Sequence, residues 1–274
     1  MDIFTRIKNL EIQGAINIAE HSLIYLKGFA KKNGFDHKFD LECDRLIATR
    51  PTGVALYNVI RELRMDKSFR KIDELLNKIK NNKEKIANYG EKLIKNNSTI
   101  QTHCHSSNVI DIIKKAAENK KFTVIADVTE PRHQGIKTVK ELSEIKNIEV
   151  ILVTDDAAGL ALSHPCISMS DILILGADAI RKEGVVNKIG TYLLAVAAKE
   201  RGIPFYIAAS TLKYDRRRRL VIEMRRPSEV HRKIKGVKIL NPAFDLTPWK
   251  YINGVITEDG IKKTEQVLRE LKQV

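Results

Sequence analysis

Thr102-His103-Cys104-His105-Ser106-Ser107 sets a thiol between two imidazoles, at the end of a short strand expected over Thr99–His103. Further along, Gly176-Ala177-Asp178 ends an apolar run that begins at Asp171, and Asn187-Lys188-Ile189-Gly190-Thr191 follows. Each segment falls where a buried parallel strand is expected to stop, the place where open α/β sheets gather their chemistry. A thiol and a carboxylate at neighbouring strand ends form an acid/base pair. An Asn-Lys pair opening a helix suits a phosphate, because helix N-terminal amides and a lysine attract the same anion. Together these residues imply chemistry on a sugar phosphate.

Each residue also has an ordinary structural reading. An isolated cysteine is usually a small core residue, and Cys43 and Cys166 are read that way. Cys104 differs in its company: two histidines and a helix start at Ser106-Ser107 are expected to depress its pKa and make it a reversible proton carrier. Asp178 sits at the end of an apolar strand, partly desolvated, which suits a general acid or base. Asp155 and Asp156 are better read as caps of the next turn. His103, Cys104 and His105 do not make a metal site, since successive residues on an extended strand point to opposite sides. Gln13-Gly14-Ala15 and Arg50-Pro51-Thr52-Gly53 place small residues where a phosphate could approach the backbone. No Walker A, GxGxxG, CxxC or HExxH pattern occurs.

The elements that must hold these residues change character near residue 98. Before it, Ile16, Ala19, Leu23 and Leu26 recur at helical spacing. From Lys67 to Lys95 an apolar stripe of Ile72, Leu75, Ile79 and Ile86 runs among lysines and glutamates, one amphipathic helix or two. After it, strands are expected at Thr99–His103, Phe122–Val128, Ile148–Val153, Ile172–Leu175 and Pro204–Ala208. Helices are expected from near Ser106, Val139, Asp156 and Asn187, and Gly254–Thr257 as an edge strand. Strands alternating with helical crossovers imply an α/β fold with a parallel sheet covered on both faces. The expected organisation is a helical domain over 1–97 and a parallel-sheet α/β domain over 98–274.

The 274 residues, 43% hydrophobic and 30% charged, suffice for a sizeable core. No apolar run is long enough to span a membrane, the first residues lack a signal-peptide pattern, and three cysteines make no disulfide framework; a cytoplasmic protein is expected. The net charge of +14 raises nucleic acid as a partner. The densest basic run, Arg216 to Arg219, has no interleaved aromatics, so a solvated or subunit-contacting face is the simpler reading.

At the level of whole motifs the chain resembles the superfamily of methylthioribose-1-phosphate isomerase, ribose 1,5-bisphosphate isomerase and the alpha, beta and delta subunits of translation initiation factor 2B. The strings that carry the resemblance are THC (102–104), GADAI (176–180), NKIGT (187–191), AASTLK (208–213) and NPAFDLTP (241–248). RPTGVALYN (50–58) and the loop at 13–15 extend it to nearly the whole chain, and EMRRPSEV (223–230) is most similar to archaeal ribose 1,5-bisphosphate isomerase. The resemblance implies a helical domain followed by a Rossmann-like domain, and a homo-oligomer, dimer or hexamer. It implies Cys104 and Asp178 as the catalytic pair, with Gln13, Gly14, Ala15, Arg50, Gln134, Asn187, Lys188 and Lys213 binding a phosphorylated ribose, and no metal or other cofactor. Cys104 is expected to handle the substrate carbon proton, and Asp178 the ring oxygen and hydroxyls.

Two positions depart from the family pattern: Gln13 stands where the isomerases carry arginine, and Glu130 where they carry the arginine of Thr-Arg-Pro. Glutamine cannot supply the charge of a guanidinium fork. The alternatives are a regulatory subunit that binds initiation factor 2 or a nucleotide, and a methylthioribose-1-phosphate isomerase. A bisphosphate enzyme needs extra cations, for which the run at 216–219 is a candidate.

Overall fold

A computed structural model describes residues 2–9, 11–162 and 169–273. Five helices come first: α1 (Ile3–Lys8), α2 (Ala15–Asn33), α3 (His37–Thr49), α4 (Val54–Met65) and α5 (Phe69–Gly90). Their starts follow from local chemistry. Asp36 accepts from the amides of Lys38 and Phe39, and Ser68 from that of Lys71. The apolar stripes face one another, so Leu23, Leu26, Phe39, Leu56, Ile60, Leu63 and Ile72 form one fully buried cluster. Each such side chain contributes about 1.5–3 kcal/mol when taken from water.

The rest alternates strand and helix: β1 (Thr99–Thr102), α6 (Ser107–Ala117), β2 (Phe122–Asp127), α7 (Gln134–Leu142), β3 (Ile148–Val153), α8 (Ala158–Ala161) and β4 (Ile172–Leu175). Then come β5 (Ala179–Arg181), β6 (Gly184–Lys188), α9 (Thr191–Glu200), β7 (Phe205–Ala208), β8 (Phe244–Pro248), β9 (Gly254–Thr257), β10 (Gly260–Lys262) and α10 (Thr264–Lys272). Seven strands form one sheet in the order β10-β9-β7-β4-β1-β2-β3, parallel except for β10. β1, β4 and β9 are buried along their whole length, as strands covered on both faces must be. Strand order reverses between β1 and β4: the chain runs outward through β2 and β3 on one side and β7 and β9 on the other. The loops leaving β1 and β4 diverge, and a crevice opens at their carboxyl ends.

Several expectations need correction. Gly254–Thr257 is interior, because a turn at Glu258-Asp259 leads into Gly260 (φ +122°) and folds β10 back along it. Asn187 and Lys188 lie on β6, in a three-stranded antiparallel sheet β5-β6-β8 that strand-and-crossover reasoning does not anticipate. The helix there begins only at Thr191, after Gly190 (φ +104°) turns the chain. α7 starts at Gln134 instead of Val139, after His133 in a left-handed conformation. Near Asp156 there is a single 3₁₀ turn and the one-turn helix α8.

Two elements tie the helices to the sheet. The end of α5 packs Ile86 against α6, and Gly90 leaves room for the Ile112 side chain. Asn58 on α4 donates to the carbonyls of Leu212 and Tyr214 (2.9 Å each), and Asn82 on α5 to Ser210 and Glu258 (3.0 and 2.7 Å). Lys213 is held between these anchors. Among the described residues no helix is long and apolar enough to cross a membrane.

Candidate active site

Where β1 stops, the chain turns sharply. Cys104 adopts φ +67°, its amide donates to Thr129 Oγ1 (2.9 Å), and its carbonyl accepts from Thr138 Oγ1 (2.8 Å). Where β4 stops, Gly176 leaves space for Ser106: a Cβ there would lie 2.4 Å from the serine Oγ. Asp178 follows, half-buried, its amide bonded to the Val186 carbonyl (2.8 Å). Between the two strand ends lies a cleft of about 830 Å³, its open mouth included. The structure brings all ten sequence-predicted residues to its wall: Cys104 and Asp178 with Gln13, Gly14, Ala15, Arg50, Gln134, Asn187, Lys188 and Lys213.

Charge in the cleft is lopsided. Arg50, Lys137, Lys188, Lys213 and Arg225 line it, against the single carboxylate of Asp178. Burial pushes Lys188 and Lys213 below the usual lysine range, although Cys104 and Asp178 pull the other way. Arg50 and Arg225 share one counter-ion, Glu223, which Arg225 Nε reaches at 3.0 Å and Arg50 Nη2 approaches at 3.7 Å. Two polar atoms here are buried with no hydrogen-bond partner, Arg225 Nη1 and Gln134 Oε1. An unpaired guanidinium N–H and an unpaired amide oxygen are costly without a ligand.

Three helices end at this cleft uncapped. α2 begins after Gly14 (φ +85°), α6 after Ser106 and α7 after His133, and none of these residues makes a side-chain cap. Ala15, Ile16, Ser107, Gln134 and Lys137, from their first turns, line the wall. The expected phosphate-binding helix is a different matter. The Gly190 and Tyr192 amides at the start of α9 are already bonded to Asp245 Oδ2 (2.8 and 3.1 Å), and Asn187 Nδ2 is tied to Thr191 Oγ1 (2.9 Å). The anion-seeking amides therefore belong to α2 and α6, since at α7 those of Gly135 and Ile136 already donate to the Val128 and His133 carbonyls (3.1 Å each).

The environment of the thiol also differs from expectation. Burial pushes Cys104 up to about 11, outweighing the pull of Lys188, so the thiol is protonated at neutral pH. His103 does not face it. Its Nδ1 lies 2.8 Å from both Asp127 oxygens, and its Nε2 lies 2.9 Å from the Ile189 carbonyl. Burial opposes a charge on His103, but Asp127 prevails and holds the imidazolium above the ordinary range. His105 is pushed down to about 4 by burial and by Lys137. Lys188 is thus the cation that acts on the thiol.

Other expectations resolve as follows. Ser106 precedes α6 but makes no capping bond; Asp155 caps no helix of its own and instead accepts from the Thr129 and Glu130 amides (2.6 Å each). Glu130 is exposed and pairs with His133 (3.1 Å), while Arg132 is engaged by Glu229 (2.9 Å). The run at 216–219 is not at the cleft: Arg216 bonds carbonyls at the end of α10, and Arg217 bonds Asp215 and the Pro51 carbonyl. Arg225 stands in its place. Cys43 is buried in the helical core; Cys166 lies outside the described residues. Lys137 and Arg225 escaped sequence reasoning. Placing the α7 start at Gln134 would have put Lys137 one turn along on the same face. Arg225 lies in a stretch with no periodic pattern at all.

An open, mostly parallel sheet with a thiol, a carboxylate and five cations at its switch point defines an α/β protein built to hold a small polyanion. The chain belongs to the Initiation factor 2 subunit family, whose model matches residues 11–264. It is 40% identical to the ribose 1,5-bisphosphate isomerase of Archaeoglobus fulgidus, over 93% of this chain and 87% of that one. It is 36% identical to the methylthioribose-1-phosphate isomerase of Acetivibrio thermocellus, over 95% and 87%. The solved structure of the Pyrococcus horikoshii translation initiation factor eIF-2B covers 97% of both chains at 33% identity, with a TM-score of 0.85.

Proposed function

We propose that this protein is an aldose–ketose isomerase that converts ribose 1,5-bisphosphate to ribulose 1,5-bisphosphate. The observation that carries this reading is the convergence of the uncapped N-termini of α2 and α6 and five cations on Cys104 and Asp178. Two phosphate dianions need that much positive potential; one phosphate and a methylthio group do not. The apolar part of the wall is Ala15, Ile16, Ala177 and Phe244. Four archaeal relatives at 35–40% identity, over more than nine-tenths of this chain, carry the same activity in their names.

In the proposed reaction the protonated thiol of Cys104 passes its proton through Asp178 to the ring oxygen as the bond from that oxygen to C1 breaks. The thiolate, facing Lys188, takes the hydrogen of C2 as a proton and returns it at C1. Asp178 takes the proton of the C2 hydroxyl as the carbonyl forms, then restores the thiol, and the proton count closes. The phosphates, held at the helix ends and by Arg50, Lys188, Lys213 and Arg225, fix the reacting carbons relative to both groups. The helices of 1–97 act as a domain closing over the sheet domain of 98–274, in a cytoplasmic homo-oligomer, dimer or hexamer.

The test is turnover of ribose 1,5-bisphosphate followed by phosphorus NMR, with methylthioribose 1-phosphate in parallel. Conversion to the ketose, abolished in Cys104→Ser while the fold is kept, is the expected result. Full turnover in Cys104→Ser refutes the assignment of the thiol. If neither sugar reacts, Gln13 moves the reading to a regulatory protein that binds initiation factor 2 or a nucleotide.

A further inference from the structure

Thr129 is a β-branched residue in the left-handed region (φ +63°) and wholly buried. That conformation is rare for such a side chain and strained. Its hydroxyl explains what it does there. Oγ1 accepts the amide proton of Cys104 (2.9 Å) and donates to Asp127 Oδ1 (2.6 Å). Cys104 is itself left-handed, so this bond fixes the backbone of the residue that carries the reactive thiol.

Behind the threonine stands a second tie. Asp127 accepts from His103 Nδ1, and the Ile189 carbonyl, which can only accept, takes the proton of Nε2. Both ring nitrogens therefore donate, and His103 is an imidazolium locked between the end of β1 and the residue after Lys188. The missing side chain of Gly190 makes room for it, since a Cβ there would lie 3.1 Å from the ring. Thr129, Asp127, His103 and Ile189 form one continuous hydrogen-bonded path from the Cys104 amide to the strand that carries Lys188. Asp127 pairs with Val153 through its backbone, which leaves its carboxylate to this path.

We propose that Thr129, backed by the Asp127–His103 ion pair, is a positioning residue that holds the Cys104 thiol against Lys188. The proposal rests on Cys104 being the reactive thiol of the isomerase read above. It does not require either group to touch substrate.

Thr129→Val keeps the shape and removes the hydroxyl, Thr129→Ser keeps the hydroxyl, and Thr129→Gly relieves the backbone strain while removing it. Two measurements on the full-length protein separate the outcomes: steady-state kinetics with ribose 1,5-bisphosphate, and the rate at which iodoacetamide modifies the Cys104 peptide, resolved by mass spectrometry without substrate. In Thr129→Val and Thr129→Gly, kcat falls about a hundredfold with KM within about twofold of wild type. Alkylation of Cys104 speeds up at least about fivefold as the turn loosens and water reaches the thiol. Thr129→Ser stays close to wild type in both, and Thr129→Gly melts no lower than wild type despite its slow turnover.

Should Thr129→Val not fold, Thr129→Gly decides the matter, because glycine suits φ +63°. An unchanged alkylation rate in a folded Thr129→Gly overturns the proposal, whatever turnover does. So does an unchanged kcat. The alkylation measurement is independent of the sugar, so loss of the isomerase reading leaves this test standing.

Discussion

Gln134 reaches across the cleft to Gln13: its Nε2 donates to the Gln13 Oε1 at 3.3 Å, over 121 positions of sequence. The bond joins the loop that leads into α2 to the first residue of α7, two of the three uncapped helix ends. The Gln134 Oε1 is left buried without a partner. Glutamine thus closes the mouth of the cleft with a neutral contact where a cation would bind a phosphate outright. Gln13→Arg should lower KM for ribose 1,5-bisphosphate by about tenfold, since a charged donor contributes about 1.5–3 kcal/mol and a neutral one about half that. Steady-state kinetics of the two forms checks it.

Burial holds the Cys104 thiol protonated up to about pH 11, against an ordinary value of 9.0. Without substrate, its alkylation should be slow at pH 8 and climb about tenfold per pH unit towards 11. The folded value is raised, so the stability from burying the neutral thiol is fully present below pH 9 and is lost as pH rises towards 11. Cys104→Ser should flatten that part of the alkaline stability curve, measured by urea unfolding at several pH values.

His105 titrates in the other direction. Burial and Lys137 push it down to about 4, so the neutral ring is the folded form. The stability associated with it is complete above the ordinary value of 6.5 and is lost as pH falls towards 4. Melting temperature should decline across that window, and His105→Gln should make the decline shallower. No change in slope would mean that other groups govern the acid limb.

Asp245 is a structural cap and not a ligand. It holds the Gly190 and Tyr192 amides at the start of α9. Asp245→Ala should cost about 1 kcal/mol, lowering the melting temperature by about 2–4 °C. KM for the bisphosphate should stay within about twofold of wild type, where loss of a charge-assisted phosphate bond would raise it tenfold or more.

The strands of the large sheet were legible because β2, β4 and β7 are apolar runs with turn chemistry at both ends, and β1, where only Ile100 of the four residues is apolar, falls into their alternation with helices. The residues at two of those ends, Cys104 and Asp178, could be placed side by side for the same reason. What the sequence hides is set by long-range pairing. Gly184–Lys188 reads equally as a helix start until β8, some 60 residues on, supplies its partner strand. Arg225 reaches the cleft only because Glu223 and Glu229 tether its segment to Arg50 and Arg132. Whether a histidine faces a neighbouring thiol or turns to Asp127 depends on a rotamer that no spacing encodes.

Gly176 and Gly190 have a consequence for anyone who would redesign the specificity of this cleft. At each, the space of a missing side chain is filled by a residue flanking the thiol, Ser106 in one case and His103 in the other. A substitution at Gly176 displaces Ser106 and one at Gly190 crowds His103, so a mutational path behind the thiol needs two changes at once. On the opposite wall the couplings are polar: Gln13 bonds Gln134, and Arg50 and Arg225 share Glu223. Gln13 can be exchanged singly, whereas Arg50 and Arg225 are best varied together with Glu223, and a library aimed at a new sugar should start from them.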